Sequence, residues 1–369
     1  MKIVVAGAGE VGSHLAKMLS NERHDIVIID ESQERLERVS EDADLITIQG
    51  HPSSIQTLMK ANVPSADLFV AVSPAQEQDV NIVSALLAKK LGAKRVTARI
   101  NNEEYQTNEN KLLFTELGID SMFYPEKIAA LEVVNLLGHS SSSEYVDFSG
   151  GKLSLSVFRL DAGSPFIDHS IVEMNEDVVG VPFRTVAIER NEQTIIPHGK
   201  DIYREGDTIY VISNVVNTSR LVEFCGMTDI SIENVMILGG SKVGVRIALE
   251  LQDRLGVKLV EYNAEKAYRL AAILDSTLII NEDGRDIEAM LEEGLQSMDA
   301  FVAVTGRSET NILTAMIAKK MGVKKVIAEV ENLNYINLAE SIGIDTIINK
   351  KQVTASNIFR FTMNTDVQA

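Results

Sequence analysis

Three glycines, Gly7, Gly9 and Gly12, stand in the order G-x-G-x-x-G directly after the β-branched run "KIVVA" and ahead of an amphipathic stretch of helical length. That context turns a common glycine pattern into a candidate dinucleotide site. Gly7 permits a tight turn, Gly9 lets backbone approach a pyrophosphate, and Gly12 lets a helix pack closely on a strand. The amides around Ala8, Gly9, Glu10, Val11 and Gly12 would then face phosphates with the positive end of the helix dipole. Eighteen residues after Gly12, "IVIID" ends in Asp30. An acid there accepts hydrogen bonds from a ribose diol and repels a 2'-phosphate, which favours NAD(H) or an adenine nucleotide such as ATP or ADP over NADP(H). Ligands of open α/β sheets sit at the carboxyl ends of strands. Gly50 and His51 after the third strand and Ser73 and Pro74 after the fourth are therefore further candidates. So is Arg99 near the end of the fifth, where a guanidinium could reach a phosphate.

The pattern returns. "ENVMILGGSKVGVRIALEL" repeats the opening with Gly239, Gly240, Ser241, Lys242, Val243 and Gly244, so that Ser241 stands where Gly9 stood. A side chain there is expected to crowd the pyrophosphate, with Gly240 relaxing the turn. The acid survives as Glu261, while Arg99 is replaced by Glu329, which would repel phosphate. "ADLFVAVS" at 66–73 recurs as "MDAFVAVT" at 298–305, "LAKKLGAKRV" at 87–96 as "IAKKMGVKKV" at 317–326, and "LGID" at 117 as "IGID" at 342. Kept order with a slowly sliding offset is the mark of a duplicated domain with small loop deletions.

Each copy alternates short apolar β-branched runs with helical stretches, which predicts a parallel sheet of five strands covered on both faces by crossover helices. Between the copies, "GHSSSSEYVDFSGG" reads as a linker. After it, period-two runs "LSLSVF", "RTVAIER", "QTIIP" and "DTIYVIS" are broken by turn signals, with a short helix after Asp168 and a second through "TSRLVEFCG". The predicted fold is α/β, two Rossmann-like doubly wound parallel-sheet domains separated by a small α+β domain. The expected boundaries are 1–137, a linker at 138–151, the small domain at 152–228, the second nucleotide fold at 233–358 and a tail at 359–369.

The composition narrows the function. At 369 residues and a formal charge of −18, with no tryptophan, the chain lacks the concentrated cations and stacking platforms of a nucleic-acid binder. No apolar run reaches the roughly 18–20 residues that span a bilayer. The only cysteine, Cys225, allows no intrachain disulfide. A soluble cytoplasmic protein is expected. Its histidines (14, 24, 51, 139, 169 and 198) are scattered without ligand spacing, and there is no nucleophile elbow, P-loop lysine or HExxH. No base is evident for hydride-transfer chemistry. Sensing is the expected role, and an NAD-dependent oxidoreductase is an alternative.

The order glycine-loop domain, small α+β domain, glycine-loop domain resembles the TrkA family, regulatory subunits of Trk-type potassium uptake systems built from RCK (or KTN) domains. The resemblance is carried by "VVAGAGEVGSHLAKML", "IVIIDES", "ADLFVAVS", "VNIVSALLAKKLGAKRVTARINNEEY" and "RTVAIERNEQTIIPHGKDIYREGDTIYVI", which span most of the chain. It implies RCK-N domains flanking an RCK-C domain, a nucleotide on Gly7, Gly9, Glu10, Val11, Gly12 and Asp30, with Ser73 and Arg99 beyond, and a partner transporter of the TrkH type gated at the membrane's inner face. It also implies dimers or a tetrameric gating ring, with the segments 125–137 and 351–361 as helices crossing between neighbouring nucleotide domains. The family usually closes with a second RCK-C domain, for which the sequence ending "FTMNTDVQA" has no counterpart. A gating-ring fragment of a potassium channel is the remaining alternative.

Overall fold

Strand β1 (Lys2–Ala6) carries Ile3, Val4, Val5 and Ala6, none of which meets solvent. Alternate residues of a strand face opposite sides, so a strand apolar at every position needs a layer on each side. A computed structural model of the protein provides both layers. It describes all residues except 23, 42, 139–143, 149–152, 177–180, 192, 215–219, 222–223, 225–230 and 364–369. Cys225, His139 and most of the helix expected through "TSRLVEFCG" lie outside the described residues.

The first copy holds β1, β2 (Asp25–Asp30), β3 (Ile46–Gln49), β4 (Leu68–Ala71), β5 (Arg95–Arg99) and β6 (Ser121–Phe123), in the all-parallel order β3-β2-β1-β4-β5-β6. This is the doubly wound arrangement, with its reversal of direction between β1 and β4. β6 exceeds the five strands expected, because three residues are too few to show a period. One face of the sheet, with Ile3, Val5, Ile28 and Val70, packs against Leu15 and Leu19 of helix α1 (Glu10–Asn21) and Leu36 of α2 (Gln33–Ser40). The other, with Val4, Ala6, Ile29 and Phe69, packs against Leu58 of α3 (Ile55–Lys60) and Ala85 and Ala88 of α4 (Gln78–Leu91).

Helices α5 (Asn108–Leu117) and α6 (Pro125–Gly138) follow. The small sheet has the order β10-β9-β11-β8-β7, made of β7 (Glu144–Phe148), β8 (Leu153–Arg159), β9 (Phe183–Arg190), β10 (Gln193–Ile195) and β11 (Thr208–Ser213), all antiparallel. α7 (Ile171–Glu176) follows Asp168, as expected. β7 lies inside the serine- and glycine-rich stretch read as a linker. Its five residues pair along β8, so flanking turn residues concealed an edge strand.

The second copy repeats the first: β12 (Asn234–Leu238), α8 (Lys242–Leu251), β13 (Gly256–Val260), α9 (Ala264–Ala271), β14 (Thr277–Ile280), α10 (Ile287–Glu292), β15 (Ala300–Ala303), α11 (Ser308–Lys320), β16 (Lys325–Glu329), α12 (Ile336–Ser341) and β17 (Thr346–Ile348). The strand order β14-β13-β12-β15-β16-β17 is the same. The best-kept repeats prove to be scaffold. Lys89 pairs with Asp120 at 2.8 Å and Lys319 with Asp345 at 2.6 Å, and each aspartate also accepts from a strand amide, Val96 or Val326.

The chain divides into two compact units, residues 1–129 with 349–369, and residues 130–348. The last helix, α13 (Lys350–Met363), follows the second copy but packs on α1 of the first, where Ala355 and Ile358 are buried in the same layer as Leu15 and Leu19. The domain expected at 233–358 therefore gives up its final helix to the other unit.

Candidate functional site

The site of the first copy is a turn forced by backbone contact. Gly7 has φ +115°, and a Cβ on it would lie 2.7 Å from the amide nitrogen of Ser73. Only glycine tolerates both conditions. The contact brings the end of β4 against the end of β1, at the switch point where ligands of this sheet type bind. Gly12 touches the carbonyl of Gly7, with no room for a methyl group. Between them Gly9 is the N-cap of α1. No side chain caps the helix there, and a Cβ on Gly9 would meet nothing within 4 Å. The helix thus starts with no side-chain cap and with space at its first glycine, an arrangement suited to an anion.

Asp30 is 6% exposed and is held in place before any ligand arrives. It accepts from the amides of Ala8 at 2.7 Å and Ser32 at 2.8 Å, and Arg35 of α2 lies 3.7 Å away. Its carboxylate therefore ties the glycine loop to the start of α2. Gly50 donates to the Asp30 carbonyl at 2.9 Å and lies close against the Thr57 side chain, so packing accounts for this glycine. His51 is exposed and turned to Ser53, 2.8 Å from its hydroxyl. Ser73 is buried, with Pro74 half-buried beside it. Glu10 is exposed and Val11 buried.

Arg99 is one strand further out. Its guanidinium lies 3.9 Å from Glu126 in the first turn of α6, a loose pair in which Arg99 Nε and Glu126 Oε2 are buried without partners. Burial lowers the Arg99 pKa, and Glu126 opposes that shift. The structure thus gathers Gly7 to Gly12, Asp30, Gly50 and Ser73 around the end of β1 and engages Arg99 with Glu126.

The second loop has the same turn and another chemistry. Gly239 has φ +108°, its Cβ position 3.0 Å from the Thr305 amide, and Gly244 abuts the Gly239 carbonyl. Ser241, expected to crowd a pyrophosphate, instead turns its hydroxyl back to accept from the amide of Gly244 at 3.2 Å. The helix caps itself, and one amide that would meet an anion is already used. Gly240, expected to relax the turn, has a different reason: a Cβ there would meet Leu270 at 2.5 Å and Glu261 at 2.8 Å. Glu261 is one methylene longer than Asp30 and fills that space, accepting from Gly240 at 3.2 Å and Asn263 at 2.9 Å and pairing with Lys266 at 2.9 Å. Burial raises its pKa, but the lysine and the two amides outweigh that and hold it below the usual carboxylate value. Lys242 is exposed, Val243 buried, and Glu329 only 5% exposed.

One pair of positioning residues escaped the sequence reading. Asn81 of α4 accepts from the Ser73 amide at 2.8 Å and donates to its carbonyl at 3.2 Å; Asn311 of α11 does the same at Thr305, at 2.9 and 3.1 Å. Both are 1% exposed. They hold the end of the fourth strand where the glycine turn needs it. The available signal was an asparagine at matching places in "VNIV" and "TNIL", on buried helix faces otherwise made of small residues.

Two doubly wound nucleotide-type folds with a small antiparallel domain between them in sequence define a tandem RCK architecture. The chain matches the TrkA-N domain family over residues 3–125 and again over 235–350, and the TrkA-C domain family over 155–226. It is 31% identical over 370 residues to the Trk system potassium uptake protein TrkA of Haemophilus influenzae, covering all of this chain and 80% of that one. It is 34% identical over 361 residues to a TrkA homologue of Archaeoglobus fulgidus, covering 97% and 80%. The chain belongs to the TrkA family of Trk-system potassium uptake proteins, which are not enzymes. Among solved structures it resembles the GsuK channel bound to NAD, with a TM-score of 0.68 at 14% identity over 100% of this chain and 64% of that one. It also resembles the human SLO3 gating ring, with a TM-score of 0.55 at 12% identity over 100% and 83%. These likenesses concern the fold. Among the described residues no helix is long and apolar enough to cross a membrane.

Proposed function

We propose that the chain is a regulatory subunit that binds NAD(H), ATP or ADP at the first glycine loop and, through that binding, gates a membrane potassium transporter of the TrkH type. The observation that carries this reading is the uncapped first turn of α1, open above Gly9 and flanked by the preset carboxylate of Asp30 at the switch point of the sheet. The phosphates lie on the amides of residues 9–12, the adenosine ribose on Asp30, and Ser73, Pro74, Gly50 and His51 border the nucleotide. The second loop, with Ser241 and Glu261 engaged internally, binds weakly or serves as structure. The family name supports potassium transport as the process, and the structural neighbours, a channel bound to NAD and a gating ring, support nucleotide control within an oligomer. A ligand moves such an assembly only by binding one of its states more tightly than another. The protein then works at the inner face of the membrane through its partner, as dimers or a tetrameric ring, with domains near 1–137, 152–228 and 233–348.

Isothermal titration of the chain with NADH, NAD, ATP and ADP tests the binding, with Gly9→Asp placing a carboxylate in the open space above the loop. One site per chain that disappears in Gly9→Asp and survives Ser241→Asp is expected. Binding unaffected by Gly9→Asp would move the site elsewhere and remove the basis of the reading. The gating is tested by potassium flux through a reconstituted transporter with the bound chain, with and without nucleotide; equal fluxes would rule it out.

A further inference from the structure

Arg99 and Glu126 form a buried ion pair that is not closed. Arg99 Nη2 and Glu126 Oε1 lie 3.9 Å apart, beyond hydrogen-bond reach, although the side chains are only 13% and 12% exposed. Arg99 Nε and Glu126 Oε2 are buried as well, and neither has a hydrogen-bond partner. Burying charge is costly unless hydrogen bonds compensate it, so atoms of this kind call for a partner. The backbone around the pair does not cause the gap. Arg99 ends β5 opposite Phe123 of β6, and Ile100 donates to the Phe123 carbonyl at 2.9 Å. Just beyond, the side chain of Gln78 in α4 accepts from the amides of Asn101 and Asn102 at 2.6 and 2.8 Å. Glu126 stands in the first turn of α6. Two anchored positions thus present one unused N–H and one unused carboxylate oxygen.

The missing partner is a group that accepts from one residue and donates to the other. Its place follows from the sheet. With the phosphates on the loop after β1 and the adenosine ribose at Asp30 on β2, the other half of a dinucleotide extends away from β2, over β4 and β5. Arg99 lies on that side, two strands from β1, roughly 10 Å at the usual strand spacing. A polyphosphate chain offers acceptors only, and it meets Glu126 as a like charge. A carboxamide offers both functions, a carbonyl for the Arg99 N–H and an amide N–H for the Glu126 oxygen.

We propose that Arg99 and Glu126 together recognise the carboxamide of the nicotinamide half of NAD(H), so that the first site separates dinucleotides from ATP and ADP at this pair and not at the glycine loop. Arg99 donates to the carbonyl, and Glu126 accepts from the amide. Because Glu126 belongs to the first turn of α6, a dinucleotide ties the start of that helix to the site, whereas a mononucleotide leaves it as it is. The inference rests on the reading of the first loop as the nucleotide site.

The test varies the ligand before the protein. NAD, ADP-ribose, which lacks the nicotinamide, and acetylpyridine adenine dinucleotide, whose ketone has no N–H, are titrated calorimetrically into the full native chain beside ATP and ADP. Hydrogen bonds to charged groups predict about a tenfold tighter binding of NAD than of ADP-ribose, with the acetylpyridine analogue between them. The double variant Arg99→Met, Glu126→Met leaves no buried charge unpaired, and thermal unfolding checks its fold. It is expected to bind NAD no more tightly than ADP-ribose. Equal affinities of the native chain for NAD and ADP-ribose would show that the pair is completed without the ligand, and an equal fractional loss of NAD and ATP affinity in the double variant would make Arg99 a phosphate contact. Either result overturns this inference while leaving the nucleotide site standing. A native chain that binds none of these ligands overturns both.

Discussion

The two glycine loops share every contact that makes the turn and differ in almost every contact that would make a site. Gly7 and Gly239 take the same positive φ, Gly12 and Gly244 abut the same carbonyl, and Asn81 and Asn311 clamp the same strand end. Yet the first helix is left uncapped above open space, and the second is capped by Ser241. Where the first loop has Ala8 the second has Gly240, and Glu261 fills the space at its Cβ position together with Leu270 and Lys266. The copies thus keep the contacts that make the turn and vary those around the helix start. The second loop satisfies its own amides and acid with a single hydroxyl and one additional methylene.

The comparison breaks first, and with the largest effect, at the shared glycines. Gly12→Ala and Gly244→Ala both push a methyl group into a backbone carbonyl that cannot rotate away, and each should cost about 3 kcal/mol or more. Chemical denaturation of the two variants is expected to show comparable losses. If Gly244→Ala were tolerated, the second turn would not be the rigid counterpart of the first.

Next comes a difference at the opposite end of the sheets. The fifth strand begins with Arg95, half-buried, in the first copy and with Lys325, 3% exposed, in the second. Burial pushes the Lys325 ammonium down to about 8 from 10.5, with Asp345 opposing and Lys319 adding to the shift. Between about pH 8 and 10.5 the unfolded chain keeps a proton that the folded chain has released, so this residue makes stability rise with pH across that window. Below it the folded state carries the buried charge at full cost. Lys325→Met should remove the rise and add about 3 kcal/mol at pH 7. Arg95→Met should do neither. Urea unfolding at pH 7 and pH 10 distinguishes them, and an unchanged profile for Lys325→Met would show that the ammonium is better compensated than its burial suggests.

The smallest effect is the most informative about function. Gly9→Ser has room and should acquire the cap that Ser241 makes, raising stability by about 0.3 kcal/mol while weakening nucleotide binding at the first loop. Ser241→Ala should lose about 1 kcal/mol and leave that binding unchanged. Thermal unfolding paired with titration measures both. A Gly9→Ser variant that binds nucleotide as well as the native chain would mean that the amide used by the cap is not one the phosphates need.

Much of the site was legible because its causes are local. A glycine three residues into a turn, an acid at the end of a strand and a hydroxyl in place of a glycine state their chemistry within a few residues of sequence, and the repeat supplied the control for each. Ser241 was expected to crowd a pyrophosphate, and in the structure its hydroxyl turns back to cap the helix. That direction depends on a rotamer, which spacing does not reveal. That Gly50 also packs closely against Thr57 was not legible, because what lies beside a Cβ position cannot be read along the chain.

The sequence by itself determined the duplication, the strand-loop-helix order of each copy, the α+β character of the middle and the place of the two glycine turns, all consequences of periodicity and of residues with restricted backbone preference. The tertiary structure alone decided that β7 is a strand, that Asn81 and Asn311 face the strand ends, and that α13 completes the core of the copy more than 200 residues before it. An apolar helix face fits any complementary layer, and the choice between its own sheet and that of a repeat lies in packing over long sequence separations. Lys351 reaches Glu10 for that reason, through a contact that no local pattern announces.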